Sequence, residues 1–168
     1  MQVRQAKRGA GIIATMVCVA VGVVAVPAAG AATQAEITGQ SQLLKEVNKA
    51  RTVRGLAPLH LNSVLSRPAR THSAYLVRIG TLDHNGADGK PFYVRIYRAG
   101  YSRQKAVGEN LGMASGCSTT LSRTMVYMWL KSPGHRRNLL SPRFKNIGIA
   151  VVAASNCSNT IYATDFGG

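Results

Sequence analysis

The residues that could carry chemistry are few, because the chain of 168 residues contains four histidines and six acidic residues. Three of them stand in segments rich in turn residues: His84 in "LDHNGADGK", Glu109 in "VGENL" and His135 in "SPGHRRNLLSP". Two imidazoles and a carboxylate are a ligand set for an open zinc-type site. Sequence spacing alone gives this set little weight, since any fold scatters a few such residues and His135 could simply belong to a helix start.

The motifs of common hydrolases and metal sites are absent from the sequence. No H-E-x-x-H or C-x-x-C occurs, and Ser115 in "GMASG" stands one place late for the nucleophile turn of an α/β-hydrolase. The segment "LDHNGADGK" has the turn residues of a calcium loop, but Ala87 and Val94 occupy positions that need oxygen ligands. Local motifs therefore predict neither a serine hydrolase nor a calcium site.

The first 32 residues have the pattern of a secretory signal peptide. Basic residues from Arg4 to Arg8 precede an apolar run over 12–26, which is shorter than the roughly 20 residues of a membrane-spanning helix. Small residues follow, so we expect cleavage near Ala31 or Ala32. Cys18 lies inside the apolar run, where a lipid-anchored cysteine does not stand. We predict a secreted, extracellular protein that could associate with the cell wall and has no stable membrane span after cleavage.

The remaining 136 residues have the size of one domain. They carry 18 basic residues against six acidic ones, a net charge of +12. This charge favours anionic partners such as wall polymers, lipid headgroups or acidic glycans, although it could also serve solubility alone. The basic residues are spread singly without interleaved aromatic residues, so we predict no nucleic-acid partner. We also expect a monomer.

Secretion also decides how the two cysteines outside the leader, Cys117 and Cys157, are interpreted. An oxidising compartment and an even count predict one disulfide, for which only one pairing exists. Two free, buried thiols are the alternative.

The spacing of apolar residues predicts helices followed by strands, and therefore an α+β domain over 41–168. Residues 33–40 are polar without a period, which indicates a short linker. Helices are predicted from Ser41 to Gly55, from Asn62 to Gly80, over 92–98, over 119–130 and from Ser132 to before Pro142. Because of Pro68, we expect the regular part of the second helix to begin at Ser66 or the helix to kink there. The fourth of these buries Leu121, Met125 and Trp129, and it follows a loop, "VGENLGMASGC". Two β-rich runs over 147–152 and 160–166 form a terminal hairpin.

Several polar residues near these elements have structural roles in our interpretation. Arg95 anchors a loop through carbonyls or a carboxylate, and Asn110 and Asn138 tie down irregular backbone. His72, on the apolar face of the second helix, is better explained by a hydrogen bond to a neighbouring carbonyl than as a metal ligand.

Four ordered motifs give the chain a resemblance to a known family. They are "LDHNGADGKPFYVRIYRAGY", "VGENL", "WLKSPGHRRNLLSPRFKNIGIAVV" and "YATDFGG", preceded by "LLKEVNKARTVRGLAPLHLNSVLSRPARTHSAYL". Together they resemble the bacterial branch of the CAP superfamily, which groups cysteine-rich secretory proteins, venom antigen 5 and plant pathogenesis-related proteins. The resemblance spans residues 41–168.

The resemblance implies a three-layer α-β-α sandwich, in which helices cover both faces of a small antiparallel sheet. It also implies a central cleft, where His84 matches the histidine of the family's loop, Glu109 the glutamate of G-E-N and His135 the histidine of S-P-G-H-R. Some members bind a divalent metal there, and others bind sterols or fatty acids in separate cavities. The pair Cys117 and Cys157 would join the loop after G-E-N to the terminal hairpin and stiffen one wall of the cleft.

The sequence departs from the wider family at two positions of that cleft. Ile161 stands where animal and plant members carry the histidine of G-H-Y-T-Q, and the segment 127–131 lacks their second glutamate. Asp165 is the only acid nearby. We expect its side chain to face away from the cleft and Thr164 to face in, because neighbouring strand residues point to opposite faces.

The charges around His135 bear on metal binding. The positive end of a short helix, together with Arg136 and Arg137, predicts a neutral imidazole near pH 7. The same charges oppose a cation, and the set of His84, Glu109 and His135 contains a single carboxylate. We therefore predict no cofactor, with at most weak binding of Zn²⁺ or another divalent metal at these three residues. Glu109 would instead accept hydrogen bonds from the two histidines or from backbone.

Three functions remain open from the sequence. The first is a secreted protein that binds an anionic wall polymer, a lipid or a small extracellular ligand through the cleft and the basic surface, without catalysis. The second is a hydrolase or protease in which Glu109 or His135 acts as a general base on water. The third is a carrier of sterols or fatty acids, for which the sequence shows no long apolar loop. We favour the first, because no nucleophile is evident from motif.

Overall fold

The computed structural model describes residues 32–168, so the predicted signal peptide lies outside the described residues except for its last position. Five helices and four strands follow one another in this part of the chain. They are α1 Gln34–Thr52, β1 His60–Leu61, α2 Ser63–Ile79, α3 Phe92–Arg98, β2 Val107–Ser115, α4 Ser122–Lys131, α5 Pro133–Leu139, β3 Asn146–Ala153 and β4 Asn159–Gly167. Within residues 32–168, none of the helices is long and apolar enough to cross a membrane.

The four strands form one sheet in the order β1-β3-β4-β2. β4 pairs antiparallel with both β3 and β2, which confirms the predicted terminal hairpin. β1 runs parallel to β3 through the pairs of His60 with Asn146 and of Leu61 with Ile147. The sheet is therefore mixed, and the expectation of a purely antiparallel sheet is wrong. A strand of two residues is too short to show the period of a strand in the sequence.

Helices cover both faces of the sheet, which confirms the predicted three-layer arrangement. One face packs against α1, α4 and α5 in a core that includes Trp129, Ile149 and Phe166. The other face packs against α2, with Leu76 and Ala150 in its core. Ile149 and Ala150 belong to opposite cores because successive strand residues point to opposite faces. Since both faces are covered, a ligand can reach the sheet only at its edges.

The linker expected over 33–40 is instead the start of α1. Thr33 Oγ1 accepts a hydrogen bond from Glu36 N at 3.2 Å, and Glu36 Oε2 accepts one from Thr33 N at 2.6 Å. This reciprocal capping box is visible in the sequence as the T-x-x-E of "TQAE". Gly39 is buried and packs closely against Val151, so this turn of the helix lies on the sheet. The described domain therefore begins before Ser41.

Two further predictions about the middle of the chain are wrong. The segment interpreted as a loop forms β2, and its glycines interrupt the apolar alternation that marks a strand. Gly112 is needed there, because a side chain at this position would collide with Met125 of α4. Leu121 is the residue before α4 and is 36% exposed, whereas Met125 and Trp129 are buried as predicted.

Candidate functional site

Glu109 lies at the base of the site, on the edge strand β2. Its residue surface is only 3% exposed. Oε1 accepts a hydrogen bond from His84 Nδ1 at 2.6 Å, and Oε2 forms an ion pair with the guanidinium of Arg95. A buried carboxylate needs partners of this kind. We expected both histidines or backbone to donate to Glu109. In the structure one histidine, His84, does so, and Arg95 takes the remaining oxygen.

Arg95 connects α3 to the site. Its Nη1 donates a hydrogen bond to the backbone oxygen of His84 at 2.8 Å, while Nη2 pairs with Glu109. One guanidinium thus fixes both the loop after α2 and the carboxylate on β2. Sequence reasoning predicted a loop anchor here but left Arg95 out of the site, because a lone arginine on a short helix carries no motif.

His84 lies in the loop between α2 and α3, with a half-exposed side chain. A carboxylate can only accept, so Nδ1 carries the proton that is shared with Glu109. Burial, and then the charge of Arg95, lower the pKa of His84 from its ordinary value. A neutral ring with Nδ1 protonated has Nε2 free as an acceptor for a ligand. The nearby His72 is bonded through Nε2 to Asp83 O at 2.7 Å, which confirms its structural role.

His135 lies in the first turn of α5, which two asparagines tie to β2. Asn110 Nδ2 donates a hydrogen bond to His135 O at 3.0 Å. Asn138 Nδ2 donates to Glu109 O at 3.0 Å and to Asn110 Oδ1 at 3.0 Å. Both asparagines therefore hold backbone as predicted, but this backbone belongs to α5 and β2 and is not irregular. Their effect is to position His135 beside the strand that carries Glu109.

The neutral state predicted for His135 has a different main cause in the structure. Burial lowers the pKa of this ring from its ordinary value, with a smaller contribution from His84. The ring lies beside Trp129, with the two ring centres 6.4 Å apart. Arg136 and Arg137 are exposed, where water and salt screen their charges.

These groups line one cleft with a volume of about 470 Å³. Its lining residues are His84, Phe92, Val107, Gly108, Glu109, Ser132, Gly134, His135, Arg137 and Asn138. The structure therefore brings the three predicted site residues into one cavity at the β2 edge of the sheet. The volume lies in the range of small-molecule sites and could also take one unit of a polymer.

Neither Asp165 nor Thr164 lines the cleft, so the expectation that Thr164 faces into it is wrong. Asp165 stands opposite Glu109 in the pairing of β4 with β2, and Thr164 stands opposite Asn110. Directly opposed residues of an antiparallel pair project from the same face. Asp165 therefore lies on the face that Glu109 occupies, and Thr164 on the other. The orientation could not be predicted while β2 was interpreted as a loop, because no strand register was then available.

Asp165 is fully buried, and neither carboxylate oxygen has a hydrogen-bond partner within residues 32–168. Burial raises the pKa of Asp165 to about 7, although the charges of Arg95 and His84 oppose this. A protonated carboxyl at this position avoids a second buried negative charge beside Glu109. The sequence signal for this group was the acidic residue of "YATDFGG".

The donor set does not fit a zinc site in this arrangement. Both oxygens of Glu109 are engaged, and His84 uses Nδ1 on the same carboxylate. Zinc sites take at least three protein ligands. In the part of the chain that the structure describes, no three histidine, cysteine, aspartate or glutamate residues are placed to hold a metal ion.

Cys117 and Cys157 form a disulfide that spans 40 positions of the chain. It joins the segment after β2 to the turn between β3 and β4, which is the predicted connection. It lies beyond Ser115, at the end of β2 opposite to Glu109, and the intervening strand is about 20 Å long. The disulfide therefore stabilises the hairpin of β3 and β4. It lies too far from Glu109 to stiffen the wall of the cleft, so that expectation is wrong.

Comparison with known proteins agrees with this fold. The family model described as "CAP: Cysteine-rich secretory protein family" matches residues 44–166. YkwD, an uncharacterized protein of Bacillus subtilis, is 31% identical over 119 residues, which are 70% of this chain and 44% of that protein. The chain thus spans less than half the length of this curated relative.

Two solved structures share the α-β-α sandwich. An outer surface protein of Borrelia burgdorferi has a TM-score of 0.64 at 22% identity, over 77% of this chain and 92% of its own. An extracellular protein of Bacillus anthracis that contains a SCP domain has a TM-score of 0.65 at 23% identity, over 78% of this chain and 40% of its own. At these identities the likeness concerns the fold.

Proposed function

Because the chain belongs to the CAP family of cysteine-rich secretory proteins, we propose that it works outside the cell, where its cleft binds an anionic component of the cell envelope without catalysis. The observation that carries this proposal is the pairing of Glu109. The charge of this carboxylate is balanced by Arg95, while Arg137 lines the cleft without an acidic partner among residues 32–168. A ligand in the cleft therefore meets a positive surface.

The surrounding charges support an anionic ligand. Three acidic residues form ion pairs outside the cleft: Glu36 with Arg70, Glu46 with Arg123 and Asp88 with Arg98. Since residues 33–168 have 18 basic residues and six acidic ones, most of the basic side chains have no acid to pair with. Such an excess raises the local concentration of anions and speeds their association.

Hydrolysis is the first alternative. A general base must reach a water molecule with a free lone pair. Both oxygens of Glu109 are engaged, so a hydrolytic role would rest on the neutral ring of His135, with Glu109 orienting His84. Turnover of a peptide or glycan substrate that disappears in both Glu109→Gln and His135→Ala would replace the binding proposal.

Carriage of a sterol or fatty acid is the second alternative. A groove of about 280 Å³ between α1 and α4 has apolar residues in its walls, among them Val53, Val126, Tyr127 and Leu130. Mass spectrometry of ligands that copurify with the native secreted protein tests this alternative directly. A stoichiometric sterol or fatty acid would favour carriage over capture of an anion.

The binding proposal is tested with a poly(glycerol phosphate) polymer and with phosphatidylglycerol vesicles as two separate probes. We expect saturable binding to at least one of them by calorimetry or cosedimentation. Arg137→Glu should weaken this binding by about tenfold or more, because it reverses a charge at the cleft. Lys45→Glu makes the same change of charge on the exposed side of α1 and should have a small effect. Absence of binding to both probes at low salt contradicts the proposal.

A further inference from the structure

A second pocket lies at the other edge of the sheet, beside β1. It has a volume of about 460 Å³ and is walled by the end of α1, the turn after it and the chain that enters β3. Its basic groups are Arg51, His60 and Lys145, and the residues that line it include no acid. The cleft with Glu109 opens at the β2 edge, so the two cavities are separated by the width of the sheet.

Arg51 is the unusual group of this pocket, because its residue surface is 1% exposed. Nε donates to Ala57 O at 2.9 Å, and Nη1 donates to Leu139 O at 2.9 Å and Ser141 O at 3.0 Å. Within residues 32–168, Arg51 has no carboxylate partner, and Nη2 makes no hydrogen bond. Burial lowers the pKa of this guanidinium. Nη2 is therefore the nitrogen of this guanidinium that remains available to a ligand in the pocket.

His60 and Lys145 extend the row of donors toward solvent. They lie side by side, since His60 N donates a hydrogen bond to Lys145 O at 2.9 Å across the start of the β1–β3 pairing. Both residues are exposed. Leu56, Pro58 and Phe144 add apolar surface to the same pocket. A ligand here would meet cationic donors on one side and carbon on the other.

The available donors select a carboxylate. Arg51 offers Nη2 alone, because its other nitrogens are bound to carbonyls, and Lys145 offers one ammonium group. Two donors on separate side chains suit the two oxygens of a singly charged carboxylate, and charge-assisted bonds of this kind are among the stronger ones in proteins. The apolar wall suits a ligand whose carboxylate is attached to a small hydrocarbon or aromatic body.

We propose that this pocket is a second binding site, independent of the cleft, for a small organic carboxylate that is held by Arg51 and Lys145 and packs against Phe144. The site does not depend on the function proposed for the cleft, because none of its lining residues is shared with it.

The test follows amide shifts of the full chain by NMR during titration with sodium benzoate at low salt. We expect saturable shifts around Gly55, His60 and Lys145. Benzamide has nearly the same shape without the charge and should give no saturable shift there. Lys145→Met should weaken benzoate binding by about tenfold or more, as expected for loss of a bond to a charged group. Lys45→Met, which changes an exposed lysine on α1 outside the pocket, should leave it unchanged.

Arg51 is not the residue to substitute first, because its bonds to Leu139 O and Ser141 O also hold the fold. The proposal is overturned if benzamide gives the same shifts as benzoate, or if Lys145→Met and Lys45→Met weaken benzoate binding equally. It is also overturned if inorganic phosphate reproduces the shifts at the same concentration. Arg137→Glu separates the two sites, since it should reduce binding of envelope probes at the cleft and leave benzoate binding intact.

Discussion

Asp165 and Glu109 stand opposite each other on neighbouring strands, and the charge of Arg95 acts on both. Glu109 has two charge-assisted partners, whereas Asp165 has no hydrogen-bond partner within residues 32–168. Burial raises the pKa of Asp165, whereas the contacts of Glu109 with Arg95 and His84 stabilise the charge of that carboxylate. At the scale of the residue, the site is therefore one ionised acid beside one acid that can hold a proton.

We predict that Asp165→Asn changes stability in a pH-dependent way. The pKa of Asp165 is raised to about 7 in the folded state, so between about pH 4 and pH 7 the folded state holds a proton that the unfolded state has released. The free energy of unfolding of the parent protein should therefore fall as pH rises through this window. An asparagine side chain cannot ionise. The free energy of unfolding of the variant, relative to that of the parent, should therefore increase by on the order of a few kcal/mol between pH 4 and pH 8.

Urea denaturation of both proteins at pH 4 and pH 8 measures this difference. If the difference in free energy of unfolding between parent and variant is the same at both pH values, Asp165 does not hold a proton in the folded state. Asp88→Asn is a suitable control, because Asp88 is exposed and already paired with Arg98.

A second residue-scale prediction concerns metal. Calorimetric titration with Zn²⁺ should give no submicromolar binding, because Glu109 is engaged by Arg95 and His84. Arg95→Gln frees one carboxylate oxygen and should raise the affinity for Zn²⁺, provided that the variant keeps its circular dichroism spectrum. Submicromolar binding by the parent protein that is abolished in His135→Ala would contradict the prediction.

At the scale of secondary structure, the helices could be predicted from sequence much better than the sheet. Asn62 and Gly80 bound α2, and the sequence shows both the capping side chain and the glycine that adopts the left-handed conformation. Pro68 lies inside this helix, which begins at Ser63 and not at Ser66. β2 was missed because its alternation is interrupted by Gly108 and Gly112, which the neighbouring layer requires. The same holds for the site. Motifs predicted His84, Glu109 and His135. The parts played by Arg95 and Asp165 depend on strand pairing and packing, which motifs do not encode.

The disulfide between Cys117 and Cys157 links the segment after β2 to the turn between β3 and β4, and we expect it to stabilise the fold. Replacement of Cys117 and Cys157 by serine should lower the free energy of unfolding by about 4 kcal/mol, from the loop-closure entropy of 40 residues. Guanidinium denaturation with and without reductant measures it. The double variant should be insensitive to reductant, and ligand binding at the cleft should change little, since the bond lies at the far end of β2. Loss of cleft binding in a folded double variant would show that the two ends of β2 are coupled.

At the scale of the whole molecule, the basic excess should make the proposed cell-envelope binding depend on salt. Raising NaCl from about 50 to about 500 mM should weaken binding to poly(glycerol phosphate) by at least about tenfold, because screening shortens the reach of surface charges. The affinity of Arg137→Glu for the same polymer should depend less steeply on the NaCl concentration. An affinity that does not change with salt would indicate apolar recognition and would favour lipid carriage.

The position of β4 has a further consequence for how this molecule is made. Among residues 32–168 β4 is the last of the four strands, yet it lies inside the sheet, between β3 and β2, and every one of its residues is buried. The two halves of the sheet cannot join until residue 167 has left the ribosome. Synthesis from the amino end therefore leaves the core open until β4 has been added, and helpers that shield exposed apolar surface would act on the chain up to that point.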